Sequence, residues 1–260
     1  MNTLEIKMLP EVHGAVIYLN RPDTFNSIST ELANELVGVL DQLEGDSNVW
    51  AVGITGKGEK AFCTGADLKE RKTMDLNAMK KQRALFVKLF AKMTFFPKPL
   101  IAFVNGYAFG GGFELSLCCD YIIASENAVL ALSEVTLGII PAGGGTQNLS
   151  RLIGKAKAKE LIYTAQRLNA SAAKELGIVS YIYSLPELEQ AMTKHIGEVT
   201  KNAPLALQQA KRSINYGVEI DLNTGLMLEA ECYNVLLTTH DRNEGLMAFN
   251  EKRPAVFKGC

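Results

Sequence analysis

The chain has 260 residues, of which 47% are apolar and 21% charged, and its formal net charge is −1. This length and balance are those of one large soluble globular domain, and the near-neutral charge argues against nucleic-acid binding through a basic surface. Five cysteines and the absence of a recognisable secretory or transit signal favour reduced thiols and a cytoplasmic location. No uncharged apolar run is long enough to span a membrane, so no membrane association is expected.

Strands and helices alternate along the first part of the chain. Short apolar segments predict strands at 4–8, 12–19, 49–55, 100–104, 121–124 and 128–132, with a further strand end and turn at 62–67. Helical spacing predicts helices at 29–44, 79–93 and 110–119. This order predicts an α/β fold with mostly parallel strands.

The pattern becomes almost entirely helical from about residue 186. Helices are predicted at 187–200, 204–216, 222–237 and 241–251. These helices have more apolar surface than they can bury against one another. They therefore pack either on the core of their own chain or on another subunit.

Two glycine-rich segments that each contain a glutamate are the strongest functional signal. Gly110-Gly111-Gly112 precedes Glu114, and Glu134 precedes the glycines at 143–145. Glycines let a backbone approach a ligand closely and leave its N–H groups accessible. Taken singly, each glutamate has a purely structural explanation, such as a favourable interaction with a helix dipole. Together with the turn at 65–67, the two segments favour paired acid and base chemistry on a polarised carbonyl compound.

Other candidate motifs are weak. The segment 56–61 fits the loose dinucleotide pattern G-x-G-x-x-A, but a strand-like segment follows it where a helix is required, so it is interpreted as a turn. No P-loop and no G-x-S-x-G motif occurs. The three histidines are scattered along the chain, so no metal site is predicted.

Four segments together resemble the crotonase, or enoyl-CoA hydratase/isomerase, superfamily. They are NRP with NS at 20–27, FCTGADL at 62–68, NGYAFGGGFEL at 105–115 and LGIIPAGGGTQ at 137–147. The resemblance extends from about residue 12 to the C-terminus. It implies the crotonase fold, in which 1–195 form a spiral of ββα units with the active site. It also implies that 196–260 form a C-terminal helical oligomerisation region that builds trimers, paired into hexamers.

The resemblance further implies a hydro-lyase that adds water across the Cα=Cβ bond of a 2-enoyl-CoA thioester. The partner is then the acyl-CoA substrate, and no cofactor is needed because CoA is part of that substrate. Ala66 and Gly111 match the residues whose N–H groups form the oxyanion hole, Glu114 the base toward water, and Glu134 the proton donor. The substrate- and CoA-binding residues implied in this way are Asn26, Ser27, Ala66, Asp67, Leu68, Gly110, Ala142 and, from a neighbouring subunit, Phe249 and Lys252.

Within the superfamily, 66–71 and 241–254 are most similar to the group of AU-specific RNA-binding enoyl-CoA hydratases, which are methylglutaconyl-CoA hydratases. This likeness implies either methylglutaconyl-CoA in leucine breakdown or short-chain enoyl-CoA in fatty-acid oxidation as the substrate. RNA affinity in that group is attributed to a lysine-lined helix. The matching helix at 29–44 has no Lys or Arg and contains acidic residues, so RNA binding is not expected.

Two departures from the family pattern stand beside the predicted site. Ala142 replaces a usual glycine, which puts the seating of the water in question, and Gln147 is followed by Asn148 where an arginine is usual. Three alternatives to a hydratase are an isomerase that uses one glutamate, an RNA-binding module and an inactive scaffold that only binds CoA. The presence of both Glu114 and Glu134 favours the hydratase.

Overall fold

The computed structural model describes all of residues 1–260, which form ten strands and eleven α-helices. The strands are β1 (Leu4–Leu9), β2 (Gly14–Leu19), β3 (Ala51–Gly56), β4 (Ala61–Cys63), β5 (Leu100–Val104), β6 (Tyr107–Phe109), β7 (Tyr121–Ser125), β8 (Val129–Ala131), β9 (Leu168–Asn169) and β10 (Tyr181–Tyr183). The helices are α1 (Thr30–Gly45), α2 (Leu68–Lys72), α3 (Leu76–Thr94), α4 (Gly111–Leu117), α5 (Gly145–Ile153), α6 (Lys155–Tyr163), α7 (Ala170–Glu175), α8 (Leu185–Thr200), α9 (Pro204–Gly217), α10 (Leu222–Leu236) and α11 (His240–Glu251).

The strands form two sheets. Six strands lie in the order β1-β2-β3-β5-β7-β10, and four lie in the order β4-β6-β8-β9. Only the β1–β2 and β8–β9 pairs are antiparallel. The predicted α/β fold with mostly parallel strands is therefore confirmed. The smaller sheet is the one that leads into the glycine-rich segment before α4.

The clearest helices have both a cap and an apolar face. At the start of α1 the Ser29 side chain accepts a hydrogen bond from the Leu32 N–H at 3.1 Å, and one face buries leucines at 32, 36, 40 and 43. Helix α3 begins at Leu76, three residues before the predicted start, because Asp75 caps it by accepting from the Ala78 N–H at 2.7 Å. Helix α3 buries Phe86 and Phe90 on the face that borders the functional site.

Three helices between residues 145 and 175 were not predicted from the sequence. Helix α5 begins at Gly145 after Gly144, which has a φ of +107°, and no side chain caps it. Helix α6 follows Gly154 directly and also lacks a side-chain cap. Helix α7 is only six residues long. The usual signals of a helix start are missing at α5 and α6, since glycines stand where a capping side chain is expected.

The C-terminal helices differ in how they pack. Helix α8 buries Leu188, Met192 and Ile196 against residues of β2 and β5, so the predicted boundary at 195/196 falls inside a helix that belongs to the core. Helices α9 and α10 bury only Pro204 and Cys232, respectively. Their exposed apolar side chains include Ile214, Tyr216, Leu222, Leu226, Met227, Tyr233 and Val235. No helix of the protein combines the length and the apolar character needed to cross a membrane.

Candidate active site

Two backbone N–H groups at the centre of the site have no acceptor in the protein. Ala66 forms a parallel bridge with Ile28, in which the Ile28 N–H donates to Gly65 O at 2.7 Å and the Asp67 N–H donates to Ile28 O at 3.0 Å. The Ala66 N–H therefore points away from that bridge. Gly111 is the first residue of α4, where N–H groups have no partner within the helix. A methyl group on Gly111 would lie 3.8 Å from the Ala66 nitrogen, so the two donors are close neighbours.

The three consecutive glycines before Glu114 have different structural roles. Gly110 has a φ of +52°, a conformation that favours glycine, and donates its N–H to Ala131 O at 2.9 Å. A Cβ on Gly112 would lie 1.9 Å from Cys63 O, so this glycine serves the tight packing of α4 on β4. Packing thus explains Gly112, whereas Gly110 and Gly111 border the cavity.

Glu114 projects from α4 and is held by backbone donors. Its side chain is almost fully buried, with the residue 3% exposed. Its Oε1 accepts from the Gly143 N–H at 2.6 Å and from the Gly145 N–H at 2.8 Å. A Cβ at Gly145 would lie 2.9 Å from the same oxygen, and one at Gly143 would run into the Phe90 ring. The second glycine-rich segment therefore brings two N–H groups to a carboxylate.

Glu134 has the opposite environment. It lies at the start of a 3-10 turn, and both of its carboxyl oxygens are enclosed without a hydrogen-bond partner. Burial, with a smaller contribution from the negative charge of Glu114, outweighs the opposing effect of the residue's own backbone N–H and raises its pKa from an ordinary value of 4.5 to about 7. Burial also raises the pKa of Glu114, but the N–H groups of Gly145 and Gly143 oppose that shift. Glu134 is consequently the better proton carrier near neutral pH, and Glu114 the better-stabilised carboxylate.

One cavity of about 570 Å³ contains this chemistry. It brings together seven of the residues predicted from the sequence: Ala66, Leu68, Gly110, Gly111, Glu114, Glu134 and Ala142. The predicted residues Asn26, Ser27, Asp67, Phe249 and Lys252 do not line it.

Asn26, Ser27 and Asp67 lie behind Ala66 and are engaged in internal hydrogen bonds. The buried Asn26 amide donates to Ala61 O at 2.8 Å and accepts from the Arg21 N–H at 2.9 Å. The Arg21 guanidinium donates to Ser27 O and forms an ion pair with Asp67 at 2.9 Å. These contacts position the Ala66 N–H. A direct contact of these three residues with CoA stays a prediction.

Phe249 and Lys252 lie at the end of α11, apart from the cavity. Phe249 is 82% exposed, and Lys252 ends the helix with a φ of +55°. Their predicted contact with the nucleotide of CoA requires a neighbouring copy of the chain. That contact therefore also stays a prediction.

Ala142 is accommodated without backbone strain. It is not among the residues with positive φ, so its conformation is one that alanine adopts readily. Its carbonyl oxygen accepts from the Arg83 guanidinium at 2.8 Å. The replacement of the usual glycine therefore does not distort this part of the cavity wall.

Several cavity residues were missed by the sequence analysis. Arg83, Phe86 and Phe90 stand at i, i+3 and i+7 on α3 and share the face that borders the cavity, and Arg71 of α2 lies beside them. The helical spacing of this segment predicts a helix at 79–93, but it does not indicate that one face of the helix borders a cavity. The remaining apolar lining includes Leu137, Ile139 and Ile140. No group of three His, Cys, Asp or Glu side chains is arranged to hold a metal ion.

Known proteins resemble the chain over almost its whole length. The family model for enoyl-CoA hydratase/isomerase matches residues 13–260. The short-chain-enoyl-CoA hydratase of Clostridium acetobutylicum is 41% identical over 239 residues, which are 92% of each chain. The mitochondrial methylglutaconyl-CoA hydratase of Rattus norvegicus is 39% identical over 262 residues, covering 98% of this chain and 83% of that one.

A solved structure agrees with the fold. The crystal structure of enoyl-CoA hydratase from Bacillus anthracis superposes with a TM-score of 0.97 at 43% identity, covering 99% of this chain and 100% of that one. The resemblance inferred from the four sequence segments is thereby confirmed, together with the crotonase fold. The chain belongs to the enoyl-CoA hydratase/isomerase family of the crotonase superfamily.

Proposed function

We propose that the protein is a 2-enoyl-CoA hydratase that works through two carboxyl groups in different protonation states. The observation that carries this proposal is the contrast between Glu114, held by two N–H groups, and Glu134, enclosed without a partner in the same cavity. Family membership and relatives whose names describe hydratases support it.

In the proposed reaction, the thioester oxygen accepts hydrogen bonds from the free N–H groups of Ala66 and Gly111. These bonds strengthen as negative charge moves onto that oxygen, and one such donor contributes roughly 2.7–4 kcal/mol of transition-state stabilisation. Glu114 takes a proton from a water molecule, whose oxygen bonds to Cβ. Glu134 gives its proton to Cα. Return of a proton from Glu114 to Glu134 restores the starting state, so that one water is consumed for each substrate.

An isomerase on the same scaffold is the closest alternative. Moving a double bond needs one carboxyl group that takes a proton from one carbon and returns it to another. Here two carboxyl groups, those of Glu114 and Glu134, line the same cavity. This second carboxyl group favours hydration.

The acyl group of the substrate is proposed to lie in this cavity of about 570 Å³, whose wall includes the rings of Phe86 and Phe90. Short-chain enoyl-CoA and methylglutaconyl-CoA, the substrates named for the two relatives above, are both candidates.

The test is a panel of enoyl-CoA thioesters, with hydration followed as the loss of conjugated-enoyl absorbance. Glu114→Gln and Glu134→Gln should each lower kcat by roughly 10²–10⁴-fold, the usual contribution of general acid or base catalysis. Binding of a saturated acyl-CoA should remain. Glu126→Gln, at an exposed glutamate outside the cavity, is the matched control and should retain full activity. Near wild-type turnover in either active-site variant would exclude the two-carboxyl mechanism.

We further propose that α9 and α10 pack against other copies of the chain in a trimer, paired into a hexamer, and that the enzyme is cytoplasmic and needs no cofactor. The exposed apolar side chains of these two helices support the assembly. Size-exclusion chromatography coupled to light scattering measures the oligomeric state, and a monomer at micromolar concentration would contradict this assembly.

RNA binding should be weak, because α1 carries no cation to contact phosphates.

A further inference from the structure

Two arginines face the same cavity as the catalytic glutamates, and neither has an ion-pair partner. Arg71 lies in α2 and Arg83 in α3, and both line the cavity. Every arginine ion pair of the protein involves Arg21, Arg151 or Arg253 instead. The negative charges that act on them are those of Glu70 on Arg71 and of Glu114 on the exposed Arg83, and neither carboxylate lies within ion-pair distance.

The hydrogen bonds of these arginines fix their positions but use few of their donors. The Arg71 Nε donates to the Gln82 side-chain oxygen at 2.9 Å, and its guanidinium lies 5.5 Å from the centre of the Phe86 ring. An Arg83 Nη donates to Ala142 O at 2.8 Å. Each guanidinium has five N–H donors, and each makes one hydrogen bond to a neutral oxygen. Most of the donors therefore remain available to a ligand.

The nearby carboxylates hydrogen-bond to other groups and form no ion pair with either arginine. The Glu70 side chain accepts from the Thr30 N–H and from the Gln82 amide, both at 3.0 Å. The Glu114 Oε1 accepts from two glycines. Burial is the main cause that lowers the pKa of Arg71. The positive charge of Arg83 lowers it further, and the negative charge of Glu70 opposes the shift. An anionic group placed between the two arginines would relieve their repulsion and form charge-assisted, bidentate hydrogen bonds.

Resting on the hydratase function above, we propose that Arg71 and Arg83 bind a carboxylate at the far end of the acyl chain. The preferred substrates are then short 2-enoyl-CoA thioesters that carry a second carboxylate. The rings of Phe86 and Phe90 contact the carbon atoms between the double bond and that carboxylate. The two arginines are thus specificity-determining residues, and the glutamates and free N–H groups perform the reaction.

The phosphates of CoA are a second source of the same anionic chemistry. Arginines that bound these phosphates would favour every acyl-CoA equally, whatever its acyl group. Arginines that bind an acyl carboxylate would favour only the carboxylated thioesters, and would do so even when the nucleotide is removed. This difference separates the two sources.

The direct test measures binding of unreactive saturated thioesters by calorimetry. Glutaryl-CoA should bind more tightly than pentanoyl-CoA, which has a methyl group in place of the carboxylate. Arg71→Gln and Arg83→Gln should each reduce this preference about 10- to 100-fold, the range for a lost hydrogen bond to a charged group. Arg71→Lys and Arg83→Lys, which keep the charge but lose the planar fork, should reduce it less. Lys80→Gln removes an exposed charge from α3 outside the cavity and should leave the preference unchanged.

The same measurements are repeated with N-acetylcysteamine thioesters, which lack the nucleotide. The preference for the glutaryl group, and its loss in both glutamine variants, should persist. Equal weakening of glutaryl-CoA and pentanoyl-CoA in the variants, with no effect on the truncated thioesters, would assign the arginines to the phosphates and overturn the proposal. So would a wild-type protein that shows no preference for glutaryl-CoA. Folding of each variant is checked by circular dichroism. If a glutamine variant does not fold, the ratio of the affinities for glutaryl-CoA and pentanoyl-CoA is measured in the corresponding lysine variant, and a fall in that ratio supports the proposal.

Activity distinguishes this inference from the proposed function. The wild-type enzyme should hydrate glutaconyl-CoA with a higher kcat/KM than 2-pentenoyl-CoA, and the ratio should fall in the glutamine variants. Hydration of neither thioester, combined with a retained binding preference for glutaryl-CoA, would refute the hydratase and leave the carboxylate site intact. Hydration of both at equal efficiency, with no binding preference, would refute the carboxylate site and leave the hydratase intact.

Discussion

The surroundings of Glu114 and of Glu134 differ although the two side chains line one cavity. Glu114 is held by two N–H groups that glycines bring within hydrogen-bonding distance. Glu134 starts a short turn and has no hydrogen-bond partner for either oxygen. Two identical side chains can therefore favour opposite protonation states because the backbone around them differs. A hydratase needs this difference, since one group must accept a proton while the other donates one.

Among changes that leave both glutamates in place, the largest effect is expected from disturbing the glycines around Glu114. In Gly145→Ala the new methyl group would lie 2.9 Å from Glu114 Oε1 and 3.0 Å from Pro141 Cβ, so the carboxylate must move. A displacement of this kind costs on the order of 10²-fold in kcat, because catalysis depends on close positioning. Steady-state hydration of an enoyl-CoA measures it.

Gly38→Ala is the matched control for this substitution. Gly38 lies in α1, and no atom is within 4 Å of the position that its Cβ would take. Alanine there should leave kcat unchanged and slightly stabilise the helix. Full activity in Gly145→Ala would show that the position of Glu114 does not depend on this glycine.

The pH dependence of kcat tests the protonation of Glu134. Its pKa of about 7 means that the proton is present below that pH and lost above it. As the proposed donor, Glu134 should cause kcat to fall about tenfold per pH unit on the alkaline side. An acidic limb should appear where Glu114 becomes protonated. A constant kcat between pH 6 and pH 9 would contradict the role of Glu134 as donor.

Much of the fold and the centre of the site could be predicted from the sequence. Helix α1 and strand β5 were predictable because their apolar residues follow one clear period and lie between recognisable breaks. The two glutamates and the N–H groups of Ala66 and Gly111 were identified because each lies inside a contiguous motif. All four line the cavity.

What the sequence did not reveal depends on tertiary contacts. Arg71 and Arg83 line one cavity because the Arg71 side chain contacts Gln82 and Phe86 of α3, and nothing in the local sequence indicates this cavity. Asn26 belongs to a motif that predicts a contact with CoA, but its side chain is engaged in hydrogen bonds inside the protein. A motif thus identifies a region, whereas the direction of each side chain depends on tertiary packing.

Stability should distinguish the two glutamates by the size of the effect. The folded-state pKa of Glu134 is about 7 and its ordinary value is 4.5, so the folded protein binds more protons than the unfolded chain in this interval. The stability that protonation of Glu134 contributes is therefore fully present below pH 4.5 and is lost as the pH rises to about 7. Glu134→Gln removes this buried negative charge and should raise Tm at pH 8, with a shift of roughly 2–4 °C for each kcal/mol.

The companion variant Glu114→Gln should raise Tm at pH 8 by less than Glu134→Gln does. Burial raises the pKa of Glu114 as well, but the N–H groups of Gly145 and Gly143 offset part of the cost of its buried charge. Calorimetric scans of both variants at pH 5 and pH 8 measure the contrast, and the gain in Glu134→Gln should shrink at pH 5. Equal shifts of the same sign would show that the two surroundings do not differ as described.

The smallest effect is expected at Ala142, where this chain departs from the usual glycine of its family. Ala142 has no positive φ, so glycine would gain nothing from its wider conformational freedom in the folded state. The Arg83 hydrogen bond goes to the carbonyl oxygen and is preserved in Ala142→Gly. The change should leave kcat within about threefold of wild type, since general acid–base groups and their donors are untouched. It should also lower stability by about 0.4–1 kcal/mol, because glycine makes the unfolded chain more flexible. Turnover together with urea denaturation measures both, and a tenfold gain in kcat would show that the alanine methyl group obstructs the water that Glu114 activates.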